Sequence, residues 1–111
     1  QTGDENTSDI SQAGANHDAF VTQNGVGNAS TITQSGIGGN GGQNANVAQN
    51  GSNGTSTVSQ SGSFANFATV NQTSGSTNAE STVVQSSDYS IARVTQRGNG
   101  AESVVSQVGP N

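Results

Sequence analysis

Apolar residues recur along this chain at a fixed distance before glutamine. Nine glutamines, 11 to 15 residues apart, have Ile or Val two positions earlier and Ser or Ala four positions earlier. Since these positions alternate, the three side chains share one side of an extended strand, and the intervening residues, mostly Thr, Ser, Asn and Asp, take the other. The pattern predicts nine short strands. The glutamines are Gln12, Gln23, Gln34, Gln49, Gln60, Gln72, Gln85, Gln96 and Gln107, and the apolar residues are Ile10, Val21, Ile32, Val47, Val58, Val70, Val83, Val94 and Val105.

The small residue alternates strictly between Ser and Ala through all nine units. The true repeat is therefore a pair of units, and the chain holds four and a half pairs. We expect each pair to form one coil of two strands, with successive coils stacked about 4.8 Å apart. The predicted fold is all-β, a two-sheet β-solenoid of the cross-β type. Its odd strands lie near 6–12, 28–34, 54–60, 79–85 and 101–107, and its even strands near 17–23, 43–49, 66–72 and 90–96.

The predicted core is a thin strip between the two sheets. The Ile and Val column keeps it dry, and the small Ser and Ala residues let the sheets approach closely. Each glutamine amide can bond to the glutamine one coil away, so the side chains form ladders that satisfy buried polar groups. Glycine follows seven of the nine glutamines two positions later, where its conformational freedom suits a tight corner.

Composition narrows the function classes. Only 27% of the residues are hydrophobic and 8% are charged, with no Cys, Met or Trp, so an ordinary core of large side chains is not expected, nor are disulfides or thiolate metal sites. The net charge is −5 and Arg93 and Arg97 are the only basic side chains apart from one His, which argues against nucleic acid as a partner. No apolar run is long enough to insert in a membrane as a helix. No cofactor is predicted.

Three segments are predicted along the chain. Residues 1–5 form a short N-terminal tail, 6–109 the repeat domain and 110–111 a C-terminal tail. The longest spacing, between Gln34 and Gln49, contains a glycine-rich loop at 36–42, and smaller insertions fall near 73–78 and 86–89. No secretory signal is recognisable, which fits a mature form whose signal was removed.

The repeats resemble those of the curlins, the subunits of bacterial curli. Curlin repeats read Ser, five residues, Gln-x-Gly-x-Gly-Asn-x-Ala, three residues, Gln. The segment Gln23-Asn24-Gly25-Val26-Gly27-Asn28 matches the middle of that motif, and the resemblance extends over residues 6 to 109. One departure lies six positions before each glutamine, where curlins carry Ser. This chain has Asn6, His17, Asn28, Gln43, Gly54, Asn66, Ala79, Ser90 and Ala101 there.

The resemblance implies a function. Curlin-like subunits are secreted to the bacterial surface, where they assemble into the amyloid fibres of the biofilm matrix. A homopolymer is therefore expected, with a nucleator subunit and a secretion channel as possible partners. The resemblance implies neither catalysis nor a metal.

The two ends of an unclosed solenoid expose unpaired strand edges, so we expect head-to-tail addition of subunits by β-augmentation. Since the chain begins and ends on odd strands, the nine-strand count predicts that neighbouring subunits differ by about half a turn. Asp9 and Glu102 are the only charged residues that mildly protect these edges, and Pro110 lies outside the last strand. The expected edge residues are Asn6, Ser8, Ile10, Gln12, Ser90, Ala92, Val94, Gln96, Ala101, Ser103, Val105 and Gln107.

Several surface features have two interpretations. Outward Thr31, Thr57 and Thr82 suit either solvated strands or the flat hydroxyl array of a monomeric ice-binding or adhesive solenoid, which is the alternative function. His17 begins a strand, and a pH-sensitive or weak metal contact is the less favoured interpretation. With one His, a Ser-His-acid site would be accidental, so no enzyme is expected. An outward aromatic patch suits lateral contacts between fibres, adhesion or simple cross-strand packing; its members are Phe64, Phe67, Tyr89 and Ile91.

Overall fold

The computed structural model describes residues 1–36 and 41–109. These residues form nine strands and no helix, which confirms the predicted all-β solenoid. The strands begin within one or two residues of the predicted positions, and β1, β3 and β5 run past the glutamine. Their bounds are β1 Thr7–Gly14, β2 Asp18–Gln23, β3 Ala29–Gly36, β4 Asn44–Gln49, β5 Thr55–Ser61, β6 Phe67–Gln72, β7 Glu80–Gln85, β8 Ile91–Gln96 and β9 Glu102–Gln107.

The strands form two parallel sheets that separate odd from even. One sheet has the order β1-β3-β5-β7-β9 and the other β2-β4-β6-β8. Their register aligns equivalent residues in every coil: Ile10 pairs with Ile32, and Gln23 with Gln49. Because a shift of one residue would turn each inward side chain outward, this register follows from the alternation of apolar and polar positions.

The core is the strip of inward residues between the sheets. Ile32, Val47, Val58, Val70 and Val83 are fully buried. Beside them the even sheet contributes the buried alanines Ala45, Ala68 and Ala92, and the odd sheet the buried serines Ser30, Ser56 and Ser81. The hydroxyls of these three serines have no hydrogen-bond partner among the described residues. Serine suits this position because its small volume lets the two sheets approach closely.

The corners from an even to an odd strand share one backbone conformation. In each of the five corners, the residue two positions before the first residue of the odd strand has a positive φ. This left-handed conformation favours Gly and Asn, which hold four of the five positions. The five residues are Glu5 (φ 57°), Gly27 (70°), Asn53 (54°), Asn78 (54°) and Gly100 (61°).

Residues 1–5 form the first of these corners, although the sequence assigned them to a tail. Thr2 is bridged to Asn24, its N–H donates to Gln23 O at 2.7 Å, and Gly27 N–H donates to Asp4 O at 3.0 Å. The segment therefore stacks on residues 23–27 as each later corner stacks on the next. The C-terminal tail predicted at 110–111, and residues 37–40 of the glycine-rich loop, lie outside the described residues.

Candidate assembly interface

The glutamines form one ladder along each sheet. In the odd sheet Gln12 Nε2 donates to Gln34 Oε1 at 2.7 Å, and Gln34, Gln60 and Gln85 continue to the next coil at 2.8 Å each. In the even sheet Gln23 donates to Gln49 at 2.9 Å, and Gln49 and Gln72 each donate onward at 3.0 Å. Both ladders have the same polarity, since each amide nitrogen donates toward the C-terminal end.

Each ladder also joins the two sheets. Gln34 Nε2 donates to Asp18 O at 3.0 Å, and Gln60 Nε2 to Asn44 O at 3.1 Å, both at the start of an even strand. From the even sheet, Gln49 Nε2 donates to Ala29 O at 3.0 Å. A glutamine therefore binds its neighbour along the axis and a backbone carbonyl across the coil. Such buried groups cost about 1–3 kcal/mol when left unpaired.

The even ladder has a member that the sequence analysis missed. Gln1 Nε2 donates to Gln23 Oε1 at 2.7 Å, so Gln1 begins this ladder as Gln12 begins the odd one. The signal was present in the sequence, because Gln1 lies 11 residues before Gln12 and Gly3 follows it two positions later. Spacing and Gly3 alone mark Gln1, whereas the other nine glutamines were recognised from the Ile or Val two positions earlier. Each ladder therefore contains five glutamines from this chain.

Six positions before the glutamines lies a second column, in which six of the nine residues are polar. Asn28 is fully buried; its Oδ1 accepts from Gly54 N at 2.9 Å and its Nδ2 donates to Gly51 O at 3.0 Å. Asn66 Oδ1 accepts from Ser90 N at 2.9 Å. The side chains of Asn28 and Asn66 therefore bind the backbone of the neighbouring coil at its corners.

His17 occupies the same column at the N-terminal end. Its Nδ1 lies 3.3 Å from Gln43 N, which donates to it, and its Nε2 lies 3.2 Å from Ala13 O. Both ring nitrogens thus contact backbone groups of the corners. This is the strand-entry role that the sequence favoured. No group of three or more metal-ligating side chains occurs within the described residues.

Both ends of the solenoid leave core positions uncovered. Ile10 in β1 is 42% exposed, whereas its neighbour Ile32 in β3 is fully buried. All of β1 is exposed, and the inward residues of β9 are half-buried. Among the expected edge residues, Ala92, Val94 and Gln96 of β8 are buried despite their outer position. The exposed core is therefore most extensive along β1.

The aromatic patch extends from the outer face of the even sheet to the corners before β6 and β8. Phe64 and Tyr89 stack with ring centroids 5.2 Å apart and an interplanar angle of 14°. Phe67 pairs with Ile91 in register on the adjoining strands, and Tyr89 and Ile91 are more than 60% exposed. Packing across the coils accounts for the Phe64–Tyr89 contact, while Ile91 remains largely open.

The threonine column on the odd sheet is short. Thr31, Thr57 and Thr82 pair in register, and Asp9 and Val104 take the same position at the two ends. The flat hydroxyl array is therefore limited to three coils. Within the described residues the chain encloses no pocket and forms no helix that could cross a membrane.

The family comparison agrees with the repeat geometry. The model of the curlin associated repeat matches residues 1–25. This match supports the resemblance to the curlins. It begins at Gln1 and ends at Gly25, so it covers the first corner, β1, β2 and the first two residues after β2. No curated protein and no solved structure matches the chain.

Proposed function

We propose that this chain is a structural subunit of an extracellular, curli-like amyloid fibre of the biofilm matrix. The observation that carries this proposal is the pair of uncovered ends of the solenoid. Both glutamine ladders run from one end to the other, and in both each amide nitrogen donates toward the C-terminal end. Among the described residues Gln12 Oε1 accepts no hydrogen bond, while Gln107 Nε2 donates only across the coil, to Ile91 O at 3.0 Å, and to no glutamine. An acceptor at one end thus suits a donor at the other.

Assembly would bury what the isolated chain leaves exposed. Covering Ile10 and the other inward residues of β1 removes apolar surface from water, worth about 25 cal/mol for each Å². It also pairs the free backbone groups along both edges, and such edges are templates for another strand. The charged gatekeepers are few: Asp9 and Glu102 both lie on outward, exposed positions.

The extracellular location and the biofilm role rest on the curlin resemblance. The curlin repeat match in residues 1–25 supports them, and so does a composition in which uncharged polar residues predominate. A secretion channel and a nucleator subunit are the partners that this family membership would bring. The alternative function is that of a monomeric ice-binding or adhesive solenoid, and the experiment below distinguishes it from a fibre subunit.

The test uses the chain after removal of denaturant. We expect thioflavin-positive fibres in electron micrographs and a meridional reflection near 4.8 Å, the spacing between strands. A protein that remains monomeric in sedimentation experiments over the same period contradicts the proposal and favours the solenoid that acts alone.

A proline variant tests augmentation at a chosen edge. Glu80 N–H donates to Ala101 O, so in β9 the equivalent alternate residues Glu102, Val104 and Ser106 direct their N–H groups away from β7. Val104 points outward and is 68% exposed. Val104→Pro therefore removes an edge donor with little effect on the coil itself, since proline is tolerated at such edge positions.

The matched control is Val104→Thr, which keeps the N–H group. We expect Val104→Pro to retain the circular dichroism of the folded chain and to slow fibre growth by at least about tenfold, the effect of about 1.4 kcal/mol at the growing end. Val104→Thr should grow like the parent chain. Equal growth of the two variants would show that this edge is not used.

A further inference from the structure

The two ends of the solenoid are built from equivalent twelve-residue segments. Residues 1–12 and 96–107 each consist of a glutamine, the corner before an odd strand and that odd strand as far as its glutamine. Five of the twelve positions are identical, and a sixth pairs Ile10 with Val105. The corners also share their backbone conformation, since Glu5 and Gly100 have φ values of 57° and 61°. The end that begins the chain thus has the same form as the end that completes it.

We propose that successive copies join by translation alone, with residues 1–12 of one copy seated on residues 96–107 of the copy before it. This inference rests on the proposed fibre function and specifies its interface. The partner is a second copy of this chain. The register is the one that already joins every pair of neighbouring coils within the molecule.

The hydrogen bonds of the junction follow from those inside the chain. Thr2 N donates to Gln23 O, and Gly25 N donates to Thr2 O. By the same pattern, Arg97 N donates to the carbonyl of Gln1 in the next copy, and Gly3 N of that copy donates to Arg97 O. Gln96 Nε2 and Gln107 Nε2 continue the two ladders to Gln1 and Gln12 of the next copy.

The number of ladder members sets the translation. Each sheet receives five glutamines from one copy, because Gln1 completes the even ladder. Five coils at about 4.8 Å give a rise of about 24 Å for each subunit. Both ladders then continue through the junction without a break or a duplicate.

The half-turn that nine strands predict conflicts with the placement of residues 1–3. In that arrangement β1 of the next copy lies on β8, and Gln1, Thr2 and Gly3 fall where Gln107, Val108 and Gly109 already lie. The segment would have to leave its corner and lose the four hydrogen bonds that Gln1 and Thr2 make with Gln23, Gly25 and Asn6. Translation requires no such rearrangement.

The charges at the ends distinguish the two arrangements. Under translation, Thr2 of the next copy lies over Arg97, which places Asp4 and Glu5 of that copy beside the guanidinium. Under a half-turn, Asp9 lies over Arg93 instead, since both are outward positions two residues into their strands. One arginine therefore faces carboxylates in each arrangement, and it is a different arginine.

Translation also leaves a recognisable mark on the even sheet. The described residues supply five odd strands and four even ones, so under translation they place no even strand between β8 and β2 of the next copy. The described strands then form a continuous odd sheet and an even sheet with one gap in every five coils. A half-turn junction has no interruption in either sheet.

Helical reconstruction from electron cryomicroscopy of fibres of the full chain tests the proposal directly. We expect neighbours related by a rise of about 24 Å, by the gradual twist of stacked coils and by no additional rotation. A rise of about 22 Å with a rotation near 180° would overturn translation. Failure to form fibres would instead count against the proposed function, so the two failures are distinguishable.

Two arginine variants provide an independent test in solution. We expect Arg97→Gln to raise the critical concentration of assembly by about threefold at low salt, a size typical of exposed ion pairs, and 1 M salt to remove most of the difference because it screens such pairs. Arg93→Gln is the matched control and should assemble like the parent chain. An equal or larger effect of Arg93→Gln would overturn the proposal.

Discussion

The side-chain amide of Gln49 donates to Oε1 of Gln72 at 3.0 Å, and the same nitrogen lies 3.0 Å from the carbonyl oxygens of Ala29 and Gly54. One buried side chain thus connects three segments of the solenoid: its own sheet, the facing strand and the corner. In a core with so few apolar atoms, these amides hold the two sheets together as much as the valine column does.

Replacement of Gln49 by leucine should therefore be strongly destabilising. It leaves Gln72 Oε1 without its donor and removes one hydrogen bond each from Gln23 Nε2, Ala29 O and Gly54 O. We therefore expect a loss of about 3 kcal/mol or more in the free energy of unfolding. The measurement is urea unfolding by circular dichroism before assembly begins. Gln12→Leu is the control, because Gln12 is exposed and makes one hydrogen bond among the described residues, to Gln34 Oε1; its loss should be about 1 kcal/mol, from that one unpaired acceptor. Similar losses at both positions would contradict this role for the ladder.

The valine column should reject a hydroxyl. Val58 is fully buried between the sheets, and Val58→Thr keeps its shape while adding a donor and an acceptor with no partner. We expect a loss of about 1–3 kcal/mol, measured as a lower midpoint of thermal unfolding. Val104→Thr, at an exposed position of β9 in the same sheet, should change stability by less than about 0.5 kcal/mol. A neutral Val58→Thr would mean that the strip admits water.

Gly25 should not tolerate a side chain. Its φ is +138°, and a Cβ would lie 2.0 Å from Gly51 O in the next coil. The strained conformation and the close carbonyl together predict a loss of at least about 3 kcal/mol for Gly25→Ala. Gly75→Ala is the matched control, because a Cβ there meets no atom within 4 Å, and it should stay within about 0.5 kcal/mol of the parent chain. Unfolding of the two variants side by side gives the answer.

Tyr89 is expected to act between fibres more than within the chain. It is 64% exposed and has a φ of 58°, a conformation that Asn16 adopts at the equivalent corner position. Tyr89→Asn relieves that strain and removes the stack on Phe64. The first effect stabilises the fold and the second destabilises it, by about 1 kcal/mol each, so the free energy of unfolding should change little.

Bundling of the fibres should fall in Tyr89→Asn, because the variant removes the most exposed ring of the patch. Electron micrographs that count single and bundled fibres measure this. Phe20→Ser is the control; Phe20 is 60% exposed on the same sheet but lies outside the patch. If Phe20→Ser reduces bundling as much as Tyr89→Asn, general hydrophobicity and not this patch drives lateral contact.

The fold could be predicted from the sequence because its signal is local and repeated. Ile32, Gln34 and their equivalents lie on one side of each strand by alternation alone, and the strand pairing follows once equivalent residues are stacked. The burial and the hydrogen bonds of Asn28 were harder to predict from the sequence. Its partners, Gly51 and Gly54, lie 23 and 26 residues away in the next coil, and their distance depends on the corner conformation.

The sequence by itself determined the phase of this protein: which side chains face inward, which sheet each strand joins and where the ladders lie. Only the tertiary structure decided the role of Gln1. Its spacing from Gln12 fits the repeat, but spacing alone does not show which side chain it bonds to. It becomes a ladder member through Gln23, 22 residues later. A local alternation can be recognised from a few neighbouring residues, whereas a hydrogen bond between coils exists only after the corners have brought the two amides together.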